Sequence, residues 1–170
     1  MESKAKLFGH SLHQMLIVFP LGLLATAVIF DVIHLITGEA LWFTLSYWMI
    51  PAGIIGGLVA APFGLIDWLA IPSKTRAKNI GLLHGLGNVV VLGLFFASWW
   101  MREANLSPSA FALVFSFVGA ALSLVTGWLG GELVDRLGVG VDTGANLDAP
   151  SSLSGKPANL NFSNTSQAKN

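Results

Sequence analysis

Four long apolar runs, parted by short polar intervals, constrain this chain more than anything else in it. They cover about residues 12–36, 42–71, 80–101 and 109–134, and each meets the requirement of about 20 apolar residues for a helix that crosses a bilayer. Of the 170 residues, 54% are apolar and 11% charged, whereas a soluble domain carries roughly 25% charged residues. Water is therefore not the solvent for most of this surface. The first run is too long for a signal-peptide core of about 7 to 15 residues, because it continues through Asp31 to His34. The expectation is an all-α, polytopic four-helix bundle over residues 1–141, inserted in the lipid bilayer. Residues 142–170, rich in Asn, Ser, Thr, Ala, Gly and Pro, are expected to form a disordered polar tail, since they cannot bury enough surface to offset their ordering entropy.

Loop charges set an orientation. Lys4 and Lys6 precede the first run, Lys74, Arg76 and Lys78 join the second to the third, and Arg136 follows the fourth, while the opposite side carries only Arg102. Positive residues stay cytoplasmic, which puts both termini inside a multi-pass protein of the cell inner (plasma) membrane. Trp42, Trp99 and Trp100 then fall at the outer interface and Trp68 and Trp128 near the inner one, as aromatic belts require. The net formal charge is zero, so no basic field argues for nucleic acid as a partner. With no cysteine, disulfides, thiolate nucleophiles and an iron–sulfur cluster held by this chain are excluded. Any metal must be held by imidazole, carboxylate or amide groups.

Seven such groups fall in one layer at the cytoplasmic ends of the runs: His10, His13, Asp67, His84, Asn88, Glu132 and Asp135. An ionisable group in a transmembrane segment is costly and marks function by default. His13 and His84 share a depth on different helices, which suits axial ligation of a b-type haem. A non-haem iron or zinc site would draw on His10, His13, Asp67, His84 and Glu132. Asp31 lies five helical turns, about 27 Å, beyond His13 on the same helix face, with His34 one turn further on as its expected partner. Interfacial carboxylates paired with Lys74, Arg76 or Arg136, and histidines packed for structure, are the bland alternatives. Gly53 with Gly57, Gly81 with Gly85, and Gly127 with Gly131 are small-residue pairs that let membrane helices approach closely, within one chain or in a homo-oligomer.

The ordered set of His10 and His13, Phe19-Pro20, Asp31, Gly64 with Asp67, His84 with Asn88, and the run Gly127-Trp128-Leu129-Gly130-Gly131-Glu132-Leu133-Val134 resembles domain-of-unknown-function family 2231, a bacterial family of four-span membrane proteins. The resemblance covers about residues 9–142. Members are sometimes joined to Rieske-type iron–sulfur domains, which implies a redox setting and a redox partner protein. Three functions stay open: membrane electron transfer at a haem or metal, proton or cation binding and transport, and a structural subunit held together by its polar layer. Hydrolase signatures such as a Gly-x-Ser-x-Gly elbow, a Walker loop or His-Glu-x-x-His are absent from the sequence, and an enzyme is not expected.

Overall fold

The computed structural model describes residues 1–159. Two short strands, β1 (Lys6–Leu7) and β2 (His10–Ser11), form a hairpin that leads into α1 (Leu12–Leu16) and α2 (Val18–Thr37). α3 (Ala40–Ala70), α4 (Arg76–Trp100) and α5 (Ala110–Gly131) follow, the last running into a π-helical turn, Glu132–Arg136. Among the described residues, four helical stretches are long and apolar enough to cross a membrane: Leu12–Thr37, Ala40–Ala70, Arg76–Trp100 and Ala110–Arg136, called spans one to four below.

Local chemistry sets the ends. The side chains of Thr75 and Ser109 accept hydrogen bonds from the backbone N–H of Lys78 and Ala112, satisfying donors that a first turn leaves unpaired. Span three thus starts at Arg76, earlier than its apolar run, because a capped turn can carry Arg76 and Lys78 in helix. Span one ends on Gly38 in the left-handed conformation, φ 74°, its N–H bonded to the His34 carbonyl. A residue with a Cβ adopts that conformation at a cost. The interruption at Ile17 has its cause three residues on: Pro20 has no N–H to return to Leu16.

The spans pack in chain order, one on two, two on three and three on four, and four closes against one. Spans one and three therefore face each other across the bundle, as do two and four. Leu24, Ala27, Ile50, Val91 and Phe95 form the buried apolar core. Large side chains such as Val89 and Leu124 point outward and exposed, which is the burial pattern of a protein whose outer solvent is hydrocarbon.

The N-terminal segment and the stretch that follows span four gather at one end of the bundle. Ser3 is buried against span two, the backbone N–H of Gly140 bonds to the Met1 carbonyl at 2.8 Å, and Lys6 bridges Glu2 and Asp142. The polar stretch from residue 142 runs as successive turns, with Ser152–Ser154 in one 3-10 turn; residues 160–170, which the expected disordered tail also includes, lie outside the described residues.

Candidate functional site

The two histidines that share a depth stand next to each other across the bundle. His13 enters on the first turn of α1 and His84 from the third turn of α4. Their ring centroids are 6.3 Å apart with planes at 88°. Each ring is fixed the same way: Nδ1 of His13 lies 3.0 Å from the Ala60 carbonyl oxygen on span two, and Nδ1 of His84 lies 2.8 Å from that of Thr126 on span four. A helical residue four positions further on is glycine in both cases. A Cβ at Gly64 would meet His13 at 2.8 Å, and one at Gly130 would meet His84 at 3.0 Å, so the rings lie flush on helices that lack side chains there. Asn88, one turn beyond His84, brings Nδ2 to 3.2 Å from His84 Nε2, and its Oδ1 accepts from Thr126 Oγ1 at 3.0 Å.

The other groups expected in this layer are held elsewhere. His10 is exposed and its Nδ1 lies 3.2 Å from the Phe8 carbonyl oxygen. Buried Asp67 accepts from Ser3 Oγ at 2.9 and 2.8 Å and from the Lys4 N–H at 2.7 Å. Glu132 pairs with Arg76 at 2.6 Å, and Asp135 is exposed. The five-residue metal set is thus not assembled. Among the described residues no group of three or more His, Cys, Asp or Glu stands close enough to hold a metal ion. Depth along a helix is shared by all of these side chains, but direction around it is not.

A second polar cluster sits at the opposite end. Asp31, fully buried, receives both terminal nitrogens of Arg102 at 2.7 Å each. Such a two-pronged contact matches the guanidinium fork to the carboxylate. Ser46 Oγ accepts from Arg102 at 3.1 Å, Ser98 Oγ at 3.2 and 3.1 Å, and Ser116 Oγ lies 3.2 Å from both Arg102 and Asp31. All four spans contribute. The expected pairing of Asp31 with His34 gives way to this one: Nδ1 of His34 lies 3.0 Å from the Glu39 carbonyl oxygen and the ring rests edge-on against Phe43. Arg102, read from sequence as a loop cation, is instead turned inward and buried. Its being the lone cation on its side, at the depth of a lone buried carboxylate, is the signal that could have found it.

A family description, "Predicted membrane protein (DUF2231)", matches residues 9–143, most of the chain. The protein belongs to the DUF2231 family. Compared with curated proteins and with solved structures, it matches none. The DUF2231 match includes both polar clusters whole but leaves out Ser3 and Lys4, the partners of Asp67. The two clusters therefore belong to the family region, and the clasp on Asp67 reaches beyond it.

Proposed function

We propose that His13 and His84 would hold a b-type haem through their imidazoles and that this DUF2231 protein carries electrons within the membrane. One observation carries the reading. The two ring centroids stand 6.3 Å apart, a spacing that would let both imidazoles hold one metal through bonds of ~2.0–2.1 Å. The carbonyls of Ala60 and Thr126 support the same reading, because a ligating histidine donates its other ring N–H to such a partner. Bound there, a haem would supply one-electron chemistry. The residues of this chain would fix ligand direction, and the apolar core of Leu24, Ile50, Val91 and Phe95 beyond the pair would keep water and ions out. That sealed core weighs against a proton or cation path between the two polar clusters.

Orientation belongs to the same proposal. With Arg102 withdrawn into its ion pair, Lys4, Lys6, Lys74, Arg76, Lys78 and Arg136 lie at the end that holds the N-terminus, which supports cytoplasmic termini in the cell inner membrane. The histidine pair would then exchange electrons with a partner protein from the cytoplasmic side. A second reading has its own support: the Asn88 bond to His84 Nε2 suits a pair that only locks spans together.

Oxidised and dithionite-reduced optical spectra of detergent-purified protein decide between them. A Soret band with reduced α and β bands, lost in His13→Ala and in His84→Ala but kept in His34→Ala, is the expected result. A colourless protein after expression with haem supplied, or equal loss in His34→Ala, overturns it.

A further inference from the structure

Adding 71 to a residue number carries span one onto span three. Leu12-His13, Val18 and Leu21-Gly22-Leu23 become Leu83-His84, Val89 and Leu92-Gly93-Leu94. Adding 66 carries span two onto span four, where Gly53, Leu58-Val59 and Gly64 become Gly119, Leu124-Val125 and Gly130. Leu, Val and Gly recur by chance in any membrane sequence; contacts between the two shifted sets do not. Yet the bond from His13 to Ala60 returns as His84 to Thr126, and the glycine beneath each ring returns as Gly64 and Gly130. A Cβ on Gly53 would meet Leu24 and Leu23, and one on Gly119 would meet Phe95 and Leu94, again the same positions under the two shifts. Burial repeats as well: Ala27 and Ser98 are equivalent and both fully buried, as are Ile50 and Ser116.

We infer that the chain is two copies of one helical hairpin, spans one–two and spans three–four, paired about a two-fold axis along the bundle, and that Asp31 and Arg102 select which copy mates with which. The axis is fixed at two points. His13 and His84 are equivalent residues and face each other at one end. Asp31 plus 71 is Arg102, so the other end also brings a residue against its own equivalent. Both hairpins run in the same direction, which is the geometry of parallel membrane repeats about an axis normal to the bilayer. Two copies of the first hairpin would set Asp31 against Asp31, and two copies of the second would set Arg102 against Arg102. Only the mixed pair forms the two-pronged bridge. The surface presented by the first hairpin thus fits an Arg-bearing hairpin of the same design and rejects its own copy, which is specificity by repulsion as much as by attraction. None of this depends on what lies between the histidines.

The full-length chain tests it with charge reversals. Asp31→Arg gives Arg facing Arg, and Arg102→Asp gives Asp facing Asp; each is expected to lower the thermal midpoint in detergent by about 10 °C or more, as an unpaired buried charge does. The double exchange, Asp31→Arg with Arg102→Asp, swaps the roles of equivalent positions and is expected to stay within about 3 °C of the parent. Co-expressed with different tags, the two single variants are expected to co-purify one to one, because hairpins exchanged between chains restore the opposite-charge pair. Single variants as stable as the parent, an unstable double exchange, or a stable double exchange without co-purification of the singles would each overturn the inference.

Discussion

The histidine end and the ion-pair end of this bundle make opposite uses of the same kinds of side chain. At the histidine end, polar groups at one depth divide into separate contacts: the His13–His84 pair with Asn88 and Thr126, Asp67 with Ser3 and Lys4, and Glu132 with Arg76. At the other end five side chains, one or more from each span, form a single connected network around Arg102 and Asp31. The first arrangement is expected to tolerate the loss of one member, since its neighbours have their own partners. The second is not, because every serine in it answers to the same buried charge pair.

That contrast predicts graded effects of substitution. The largest is expected for Arg102→Ala, which strands the Asp31 carboxylate and costs about 3–5 kcal/mol in thermal or denaturant unfolding, whereas replacing the pair together by Leu and Met costs less, because no buried charge is left unpaired. If the single and double replacements cost the same, the ion-pair end is no more connected than the histidine end. Next comes helix contact beside the core. Gly53→Ala pushes a Cβ to 2.6 Å from Leu24, Gly119→Ala to 3.0 Å from Phe95, and Gly85→Ala meets nothing within 4 Å. Expected losses are about 1–3 kcal/mol for the first, less for the second and none for the third, ranked by melting in detergent.

A smaller effect is expected at Asp67. Asp67→Asn keeps the shape but removes the charge that its hydrogen bonds with Ser3 and Lys4 rely on, about 1 kcal/mol, and should raise amide exchange at Lys4 without reaching Arg102. Exchange rising at both ends would erase the distinction between them. The mildest is a pH effect in the terminal clasp. The hydrogen bond from Lys6, with the Thr143 N–H, holds the Glu2 carboxyl down to about 2 from an ordinary 4.5. A carboxyl lowered in the folded state adds stability above its unfolded value and loses it as pH falls through the folded one. Protection of the Thr143 amide should therefore persist at pH 4 and fade towards pH 2, with no change at the ion pair.

What was legible in the sequence follows the same division. Hydropathy is a one-dimensional signal, so four spans and their order could be read from it, and depth along each span placed His13 level with His84. Direction around a helix is not given by depth. His10, Asp67 and Glu132 share the layer and face other partners. Arg102 was misplaced because its backbone follows the helix end at Trp100 while its side chain turns back into the bundle. The repeated Leu-His and Leu-Gly-Leu segments were in plain view, but they become evidence of duplication only once the contacts of span two and span four repeat with them.

The turn at Gly38 and Glu39, two residues between α2 and α3, sets a timetable for biogenesis. Asp31 is made 71 residues before Arg102, and the first hairpin is complete at Ala70, 32 residues before it. At about 5–20 residues per second, Asp31 waits roughly 4 to 14 seconds for its counter-charge. It does so about 9 Å from the end of its helix, at 1.5 Å per residue, near enough to draw water from the headgroup zone. Dehydration of that carboxylate is then a late event of synthesis, completed when the third span delivers Arg102 and the fourth seals it with Ser116.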